Sequence, residues 1–126
     1  MDFNVALAQI KPKLGCLADN MTLAEAAIEK GIAEGAQLIV FPELALTGYF
    51  LKDLVPDVAV RVDAPQIEKL KLLSRRISIA VGFVEVTPDY RFFNSCRTFC
   101  IHGSVESRHH WWVRAWAVAG EAGDPA

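Results

Sequence analysis

The sequence has few cysteines, no long apolar run and no excess of charge, and each absence excludes a class of protein. Its three cysteines are an odd number without a Cys-x-x-Cys pair, which argues against a disulfide framework and favours a reducing compartment. No apolar stretch approaches the ~18 residues that span a bilayer. The amino terminus, MDFNVALAQI, lacks the basic region that opens a signal peptide. We therefore expect a cytoplasmic protein that does not bind a membrane.

Charges of the two signs nearly balance in this chain. Thirteen Lys and Arg stand against fifteen Asp and Glu, which gives a net charge of −2. The basic residues do not cluster beyond Arg75-Arg76, so the sequence does not predict a nucleic-acid partner. With 126 residues, of which 52% are hydrophobic, the chain has enough apolar side chains for one core.

Strand and helix patterns alternate along the chain, which is typical of an α/β fold. The first helix has start signals at Asn20 and Thr22, where Thr22 and Glu25 fit a capping box, and its apolar spacing ends at Gly35. Residues 44–62 form a predicted loop with short helical pieces, and a second helix begins around Pro65. The predicted strands, in chain order, are 3–10, 37–41, 77–86 and 91–101.

The stretch LIVFPELALTGY, residues 38–49, is the most informative part of the sequence. Its apolar start predicts a buried strand, and Pro42 predicts the end of that strand because proline has no backbone N–H to donate. Glu43 then lies at the carboxyl end of the strand, where open α/β sheets build their sites. A carboxylate in this apolar sequence suits general-base catalysis, although a surface or helix-capping glutamate is about equally compatible with the pattern.

The same stretch resembles the first signature of the nitrilase superfamily, the carbon–nitrogen hydrolases. Further motifs of that family occur in the same order. Gly15 and Asn20 fit its G-x-x-x-x-N entry to the first helix, and Gly82 with Asn94-Ser95 fits its G-x…R-x-x-N-S strand pair. The opening VALAQI also resembles the family's first strand. The resemblance covers residues from about 4 to about 104.

The resemblance implies a fold and a site. The expected fold is α/β, a partial α-β-β-α sandwich amounting to about half of one nitrilase-like domain. Glu43 would be the general base of a Glu–Lys–Cys triad, and Tyr49, Phe50 and Asn94 are candidates for the substrate pocket. Tyr49 is equally compatible with packing, whereas for Asn94 the pattern favours fixing the turn or the strand pairing by side-chain hydrogen bonds. The implied substrate is a small-molecule amide, nitrile or carbamoyl amine, with no cofactor and no metal, and full-length relatives are often homo-oligomers.

The lysine and the nucleophilic cysteine of that triad have no matching positions here. In the family, the Lys follows the Asn-Ser strand in an R-K-x-x-L-P-like segment and the Cys comes later. The last lysine of this chain is Lys71, the last cysteine is Cys100, and the corresponding segment, 108–113, reads RHHWWV. Since a thiolate must attack the substrate carbon and the Lys must stabilise the intermediate, we expect no turnover by the isolated chain.

Other residues are weak substitutes for the missing groups. Cys96 and Cys100 are four apart on a predicted strand and share a face, where small packed hydrophobes are the more common role of cysteine. Cys16 has the pattern of a packed or loop thiol. Together with His102, His109 and His110 the later cysteines provide ligand types for zinc, but their spacing matches no zinc motif.

The segment from residue 105 to residue 126 differs from the rest. All three tryptophans fall within residues 111–116, and the chain then becomes small and polar. By the family resemblance, residues 1–104 are the amino-terminal part of a carbon–nitrogen hydrolase domain, and residues 105–126 are an atypical tail, for which we consider a frameshifted or a disordered segment. The hypothesis for the tail is a reading-frame change or a truncated gene.

Three hypotheses for function follow, in order of preference. The chain is a carbon–nitrogen hydrolase by ancestry that is inactive alone, a non-catalytic α/β module that binds a small ligand near Glu43, or a subunit completed in trans by a polypeptide carrying the Lys and the Cys. The motif Gly48-Tyr49 with Asp53-Leu54 also resembles the glutamine-amidohydrolase domain of synthetases within the family.

Overall fold

A computed structural model of the protein describes residues 2–49, 51–99 and 107–108; for Lys52 and for residues 107–108 it describes the backbone alone. One sheet of five strands has the order β1-β2-β3-β4-β5. The first three strands are parallel, and β4 and β5 are each antiparallel to the strand before them. The elements are β1 Val5–Leu7, α1 Leu17–Ala33, β2 Leu38–Val40, a 3₁₀ turn Lys52–Leu54, α2 Val55–Val58, α3 Pro65–Leu73, β3 Ser78–Val86, β4 Phe92–Phe99 and β5 Ser107–Arg108.

The main core lies between the sheet and the two longer helices. Ile28 of α1 and Leu70 of α3 are fully buried in one cluster with Ile79 and Phe83 of β3. The other face of β1 and β2 is open to solvent, with the side chain of Leu7 71% exposed. The α/β prediction is confirmed, and helices α1 and α3 on one face of one sheet make up half of a four-layer sandwich.

The start of α1 differs from the prediction. The helix begins at Leu17 with Cys16 as its N-cap, so the capping box at Thr22 and Glu25 is wrong. Thr22 lies within the helix, where its hydroxyl donates to the carbonyl oxygen of Ala18 at 3.2 Å and caps no free backbone N–H. Its predicted end is confirmed, because Gly35 follows the last turn with a φ of +78°, a conformation that favours glycine.

The remaining elements follow the predicted order, with shorter strands. The loop after β2 contains the expected helical pieces, and α3 begins at Pro65. Strands β1 and β2 each have three residues, because only that part of each apolar run pairs with a neighbour. No helix in the described part of the chain is long and apolar enough to span a membrane.

Candidate functional site

Glu43 lies in a segment that loops out from the edge of β3. The ladder between β2 and β3 continues to Phe41, whose N–H donates to Ala80 O at 2.9 Å, and resumes at Leu46, whose N–H donates to Gly82 O at 3.1 Å. Between these two bonds β3 runs from residue 80 to residue 82, whereas the segment that follows β2 runs from residue 41 to residue 46. The excess residues leave the ladder and bring Glu43 to the face opposite α1 and α3.

The looped segment packs directly against Gly82 of β3. A Cβ atom built on Gly82 would lie 2.7 Å from the backbone N of Leu44 and 3.3 Å from the Cα of Glu43. Any larger residue would therefore push the segment away from the sheet. Leu44 adopts a φ of +53°, which is strained for a residue with a branched side chain. Such strain persists only where the surroundings impose it, and it is concentrated at functional sites.

Asn94 holds the Glu43 carboxylate from strand β4. Its Nδ2 donates to Glu43 Oε1 at 2.6 Å. Asn94 is paired with Val84 and therefore shares the face of Gly82 and of the looped segment. The side chain thus bonds to the candidate base and leaves the strand pairing to the backbone.

Tyr49 contacts the same carboxylate. A hydrogen bond to Glu43 raises the pKa of the Tyr49 phenol above its ordinary value, and the negative charge of Glu43 adds to the effect. The Tyr49 side chain is 54% exposed, which excludes a packing role in the core. Glu43, Tyr49 and Asn94, all singled out from the sequence, therefore meet at one point.

Cys96 is the described cysteine nearest to this point in the strand register. It is paired with Gly82 on β4 and shares the face of Asn94. Burial raises the pKa of its thiol, which lowers the fraction of reactive thiolate. Cys100, His102, His109 and His110 lie outside the described residues, as does Phe50. Within residues 2–49 and 51–99, no three His, Cys, Asp or Glu side chains are grouped so as to hold a metal ion.

Sequence reasoning missed a second glutamate, Glu85, which lies on β3. Glu85 is 2% exposed, and its Oε1 accepts from Arg97 Nε at 3.1 Å and from Nη2 at 2.9 Å. Glu85 has the strand parity of Phe83 and therefore faces the helix side of the sheet. A charged residue at a core parity on each of two adjacent strands is the signal that could have identified this pair.

Comparisons with known proteins show the family to which the chain belongs. The family model for carbon–nitrogen hydrolases matches residues 4–122. The chain is 37% identical to a glutamine-dependent NAD(+) synthetase of Synechocystis sp. over 71% of its length, and 29% identical to the chloroplastic omega-amidase of Arabidopsis thaliana over 85%. It spans 16% and 30% of those two proteins.

A solved structure shows the same fold at lower identity. The CN-hydrolase superfamily protein of Xanthomonas campestris, whose structure carries an arsenic adduct in its active site, superposes with a TM-score of 0.74 at 19% identity. The superposition covers 86% of this chain and 40% of that protein. Since the family model matches nearly the whole sequence, the chain belongs to the carbon–nitrogen hydrolase family.

Proposed function

We propose that this chain provides the general-base half of an amide-hydrolysing site, with Glu43 as the base. The observation that carries the proposal is the convergence of Asn94 and Tyr49 on the Glu43 carboxylate beside a strained turn. The amidase-type relatives support a small-molecule amide as the substrate, and the synthetase relative, which is glutamine-dependent, favours the side-chain amide of glutamine.

The chemistry of the proposed base follows from its partners. In the family reaction a carboxylate accepts the proton of the attacking thiol, passes that proton to the leaving amine, and only then accepts a proton from water. Asn94 and Tyr49 are neutral donors that orient the carboxylate without neutralising its charge. Neither partner therefore brings a positive charge that would oppose proton transfer to the carboxylate. The nucleophile and the cation have no matching positions in this sequence, so we propose that the chain alone binds amides without turning them over.

A chimeric enzyme tests the role of Glu43. Residues 4–99 of this chain replace the matching segment of the Arabidopsis omega-amidase, which contributes the missing groups, and ammonia release from an amide is measured. We expect Glu43→Gln to lower kcat by roughly 10²-fold or more, the usual contribution of a general base. Glu34→Gln, an exposed glutamate at the end of α1, is the matched control and should leave kcat unchanged. Equal activity of the two variants would reject Glu43 as the base.

The isolated chain provides an independent test of ligand binding. Glutamine is titrated into the ¹⁵N-labelled protein, and the amide resonances of residues 43–49 are followed. Saturable shifts that vanish in Glu43→Gln, without ammonia release, are the expected result. Saturable binding that Glu43→Gln leaves intact would place the ligand elsewhere.

A second candidate is a subunit completed in trans by another polypeptide. It is favoured by the open face beside Glu43, on which Val5 is 46% and Leu7 71% exposed, because such apolar area usually marks an interaction surface. Co-expression with a chain that carries the Lys and the Cys should restore amide hydrolysis. Failure of a soluble, assembled pair to hydrolyse amides would argue against completion in trans.

The origin of residues 105–126 is a separate proposal. We propose that a frame change explains the Trp-rich tail. The three tryptophans within residues 111–116 and the end of the recognised motifs near residue 104 support this proposal, whereas the family match to residue 122 counts against it. The encoding DNA is the observation to make. Translation of the two other frames should yield an R-K-x-x-L-P-like segment and a later cysteine; their absence from both would remove the proposal.

A further inference from the structure

Asn20 connects helix α1 to the loop that precedes it and to the distant residue Leu46. It lies in the first turn of α1 and is fully buried. Its Oδ1 accepts from the N–H of Lys13 at 2.6 Å, and its Nδ2 donates to the carbonyl oxygens of Lys13 at 2.8 Å and of Leu46 at 2.9 Å. Because a buried amide that loses such bonds leaves unpaired polar groups behind, this arrangement is costly to disturb.

Leu46 is the residue through which this contact reaches the site. Its N–H is bonded to Gly82 of the sheet, and its carbonyl oxygen is bonded to Asn20 of the helix. Both polar groups of Leu46 are therefore fixed, one from each layer of the fold. Glu43 lies three residues upstream of Leu46. The turn that directly follows Glu43 is closed by the hydrogen bond from Thr47 N to Leu44 O at 3.2 Å and includes Leu46.

The loop before α1 reinforces the same contact. The N–H of Gly15 donates to Thr47 O at 3.0 Å. Gly48, at a φ of +92°, lies so close to Leu14 that an added Cβ would be 3.0 Å from the Leu14 Cα. The segment 46–48 is thus fixed on one side by residues 13–15 and by the helix that follows them.

We propose that Asn20 is a positioning residue, which determines where the Glu43 carboxylate lies by fixing Leu46 at the far end of the looped segment. The catalytic meaning of that position rests on the proposed function. The geometric statement does not, because the position of Glu43 can be read from Tyr49 without any turnover.

The ionisation of Tyr49 is the readout. The chain contains two tyrosines, so a Tyr90→Phe background leaves Tyr49 as the sole phenol, and its pKa is measured by ultraviolet titration. Glu43→Gln in that background removes the charge that raises the Tyr49 pKa and defines the value for a lost contact. If Glu43→Gln leaves this pKa unchanged, the contact and the positioning proposal both fail.

Two substitutions test Asn20 itself. Asn20→Ala removes all its hydrogen bonds, whereas Asn20→Asp keeps the size and the acceptor for Lys13 and loses the donating nitrogen. We expect both substitutions to lower the Tyr49 pKa from its value in the parent background most of the way to its value in Glu43→Gln. Ile28→Val, a loss of packing in the same helix away from the turn, is the control and should leave that pKa unchanged.

Hydrogen exchange keeps the test decisive if Asn20→Ala does not fold. In Asn20→Asp, exchange at the amides of Gly15, Leu46 and Gly48 should accelerate relative to amides of β3, and in Ile28→Val it should not. A folded Asn20→Asp protein with the parent Tyr49 pKa and parent exchange would overturn the proposal. A lowered Tyr49 pKa together with an active Glu43→Gln chimera would instead reject Glu43 as the base and leave the positioning role of Asn20 standing.

Discussion

Glu43 and Glu85 lie on opposite faces of one sheet, and the protein holds them by different means. Glu85 is buried on the helix side, where the guanidinium of Arg97 donates two hydrogen bonds to one of its oxygens. Glu43 is half-buried on the open side, where the neutral side chains of Asn94 and Tyr49 contact it. One carboxylate is matched by a positive charge and the other is only oriented.

The difference separates a structural acid from one that is able to react. A proton added to Glu85 would leave the Arg97 charge buried without its counter-charge, which is costly. Within the described part of the chain, a proton added to Glu43 would leave no cation unpaired, since Asn94 and Tyr49, which contact it, are neutral. Burial and a charged partner therefore indicate structure, whereas partial exposure and neutral donors indicate a site for proton transfer.

The largest expected effect comes from breaking the Glu85–Arg97 pair. Arg97→Met should lower the free energy of unfolding by about 3–5 kcal/mol, because it leaves a buried carboxylate unpaired. Replacing both partners, in Glu85→Leu with Arg97→Met, should recover most of that loss. Urea denaturation of the two single variants and the double variant measures the coupling. Additive losses would mean that the pair is not a unit.

The next largest effect is expected from adding a side chain at Gly82, against which the Glu43 segment packs. Gly82→Ala should cost about 1–3 kcal/mol, because its Cβ would overlap the backbone of Leu44. It should also lower the Tyr49 pKa by moving Glu43. Gly31→Ala, within α1, is the matched control, since its added Cβ would make only ordinary van der Waals contacts with the side chains of Ala6, Ile39 and Ile77, and it should stabilise the protein by about 0.5–1 kcal/mol. Equal melting temperatures for the two variants would contradict the close approach at Gly82.

A smaller effect is expected at the neutral partner on β4. Asn94→Ala should lower the free energy of unfolding by about 1 kcal/mol, the usual net contribution of a hydrogen bond. Asn94→Asp should cost more at pH 7 than at pH 4, because two adjacent carboxylates repel until one is protonated. Denaturation at both pH values provides the comparison. A pH-independent loss in Asn94→Asp would show that the two groups are not in contact.

The smallest effect is the dependence of stability on alkaline pH. The Tyr49 pKa is raised in the folded protein, so its contribution is fully present below the unfolded pKa, about 10, and is lost as pH rises through the folded value. Glu43→Gln should flatten this part of the stability curve, whereas Glu85→Gln should not. Thermal melts between neutral and strongly alkaline pH, at low salt, measure the slope. An unchanged slope in Glu43→Gln would separate Tyr49 from Glu43.

The sequence was sufficient for features that depend on local chemistry. Alternating patterns predicted the α/β class, Gly35 predicted the end of α1, and Pro42 placed Glu43 beyond a strand. The contacts of the site were not predictable in the same way. That Asn94 bonds to Glu43 depends on the pairing of β3 with β4, which decides which face each side chain occupies.

Two further side chains, those of Thr22 and Asn20, have alternative hydrogen-bond partners, and the sequence alone does not show which partner is used. The Thr22 hydroxyl has a helix carbonyl as an alternative to capping, and the structure uses the carbonyl. Asn20 fits a helix start in sequence, but its side chain is used to hold Lys13 and Leu46. A local propensity cannot reveal a partner 26 residues away.

The long separation between Glu43 and Asn94 has a consequence for synthesis of the protein. The two residues are 51 positions apart, so at roughly 5–20 residues per second Glu43 leaves the ribosome several seconds before its partner. For most of that interval the carboxylate lacks both Asn94 and Gly82, because β3 is made late in it and β4 at its end. The site can therefore assemble only after the hairpin has been added to the sheet, and closing so long a loop makes this a late step of folding.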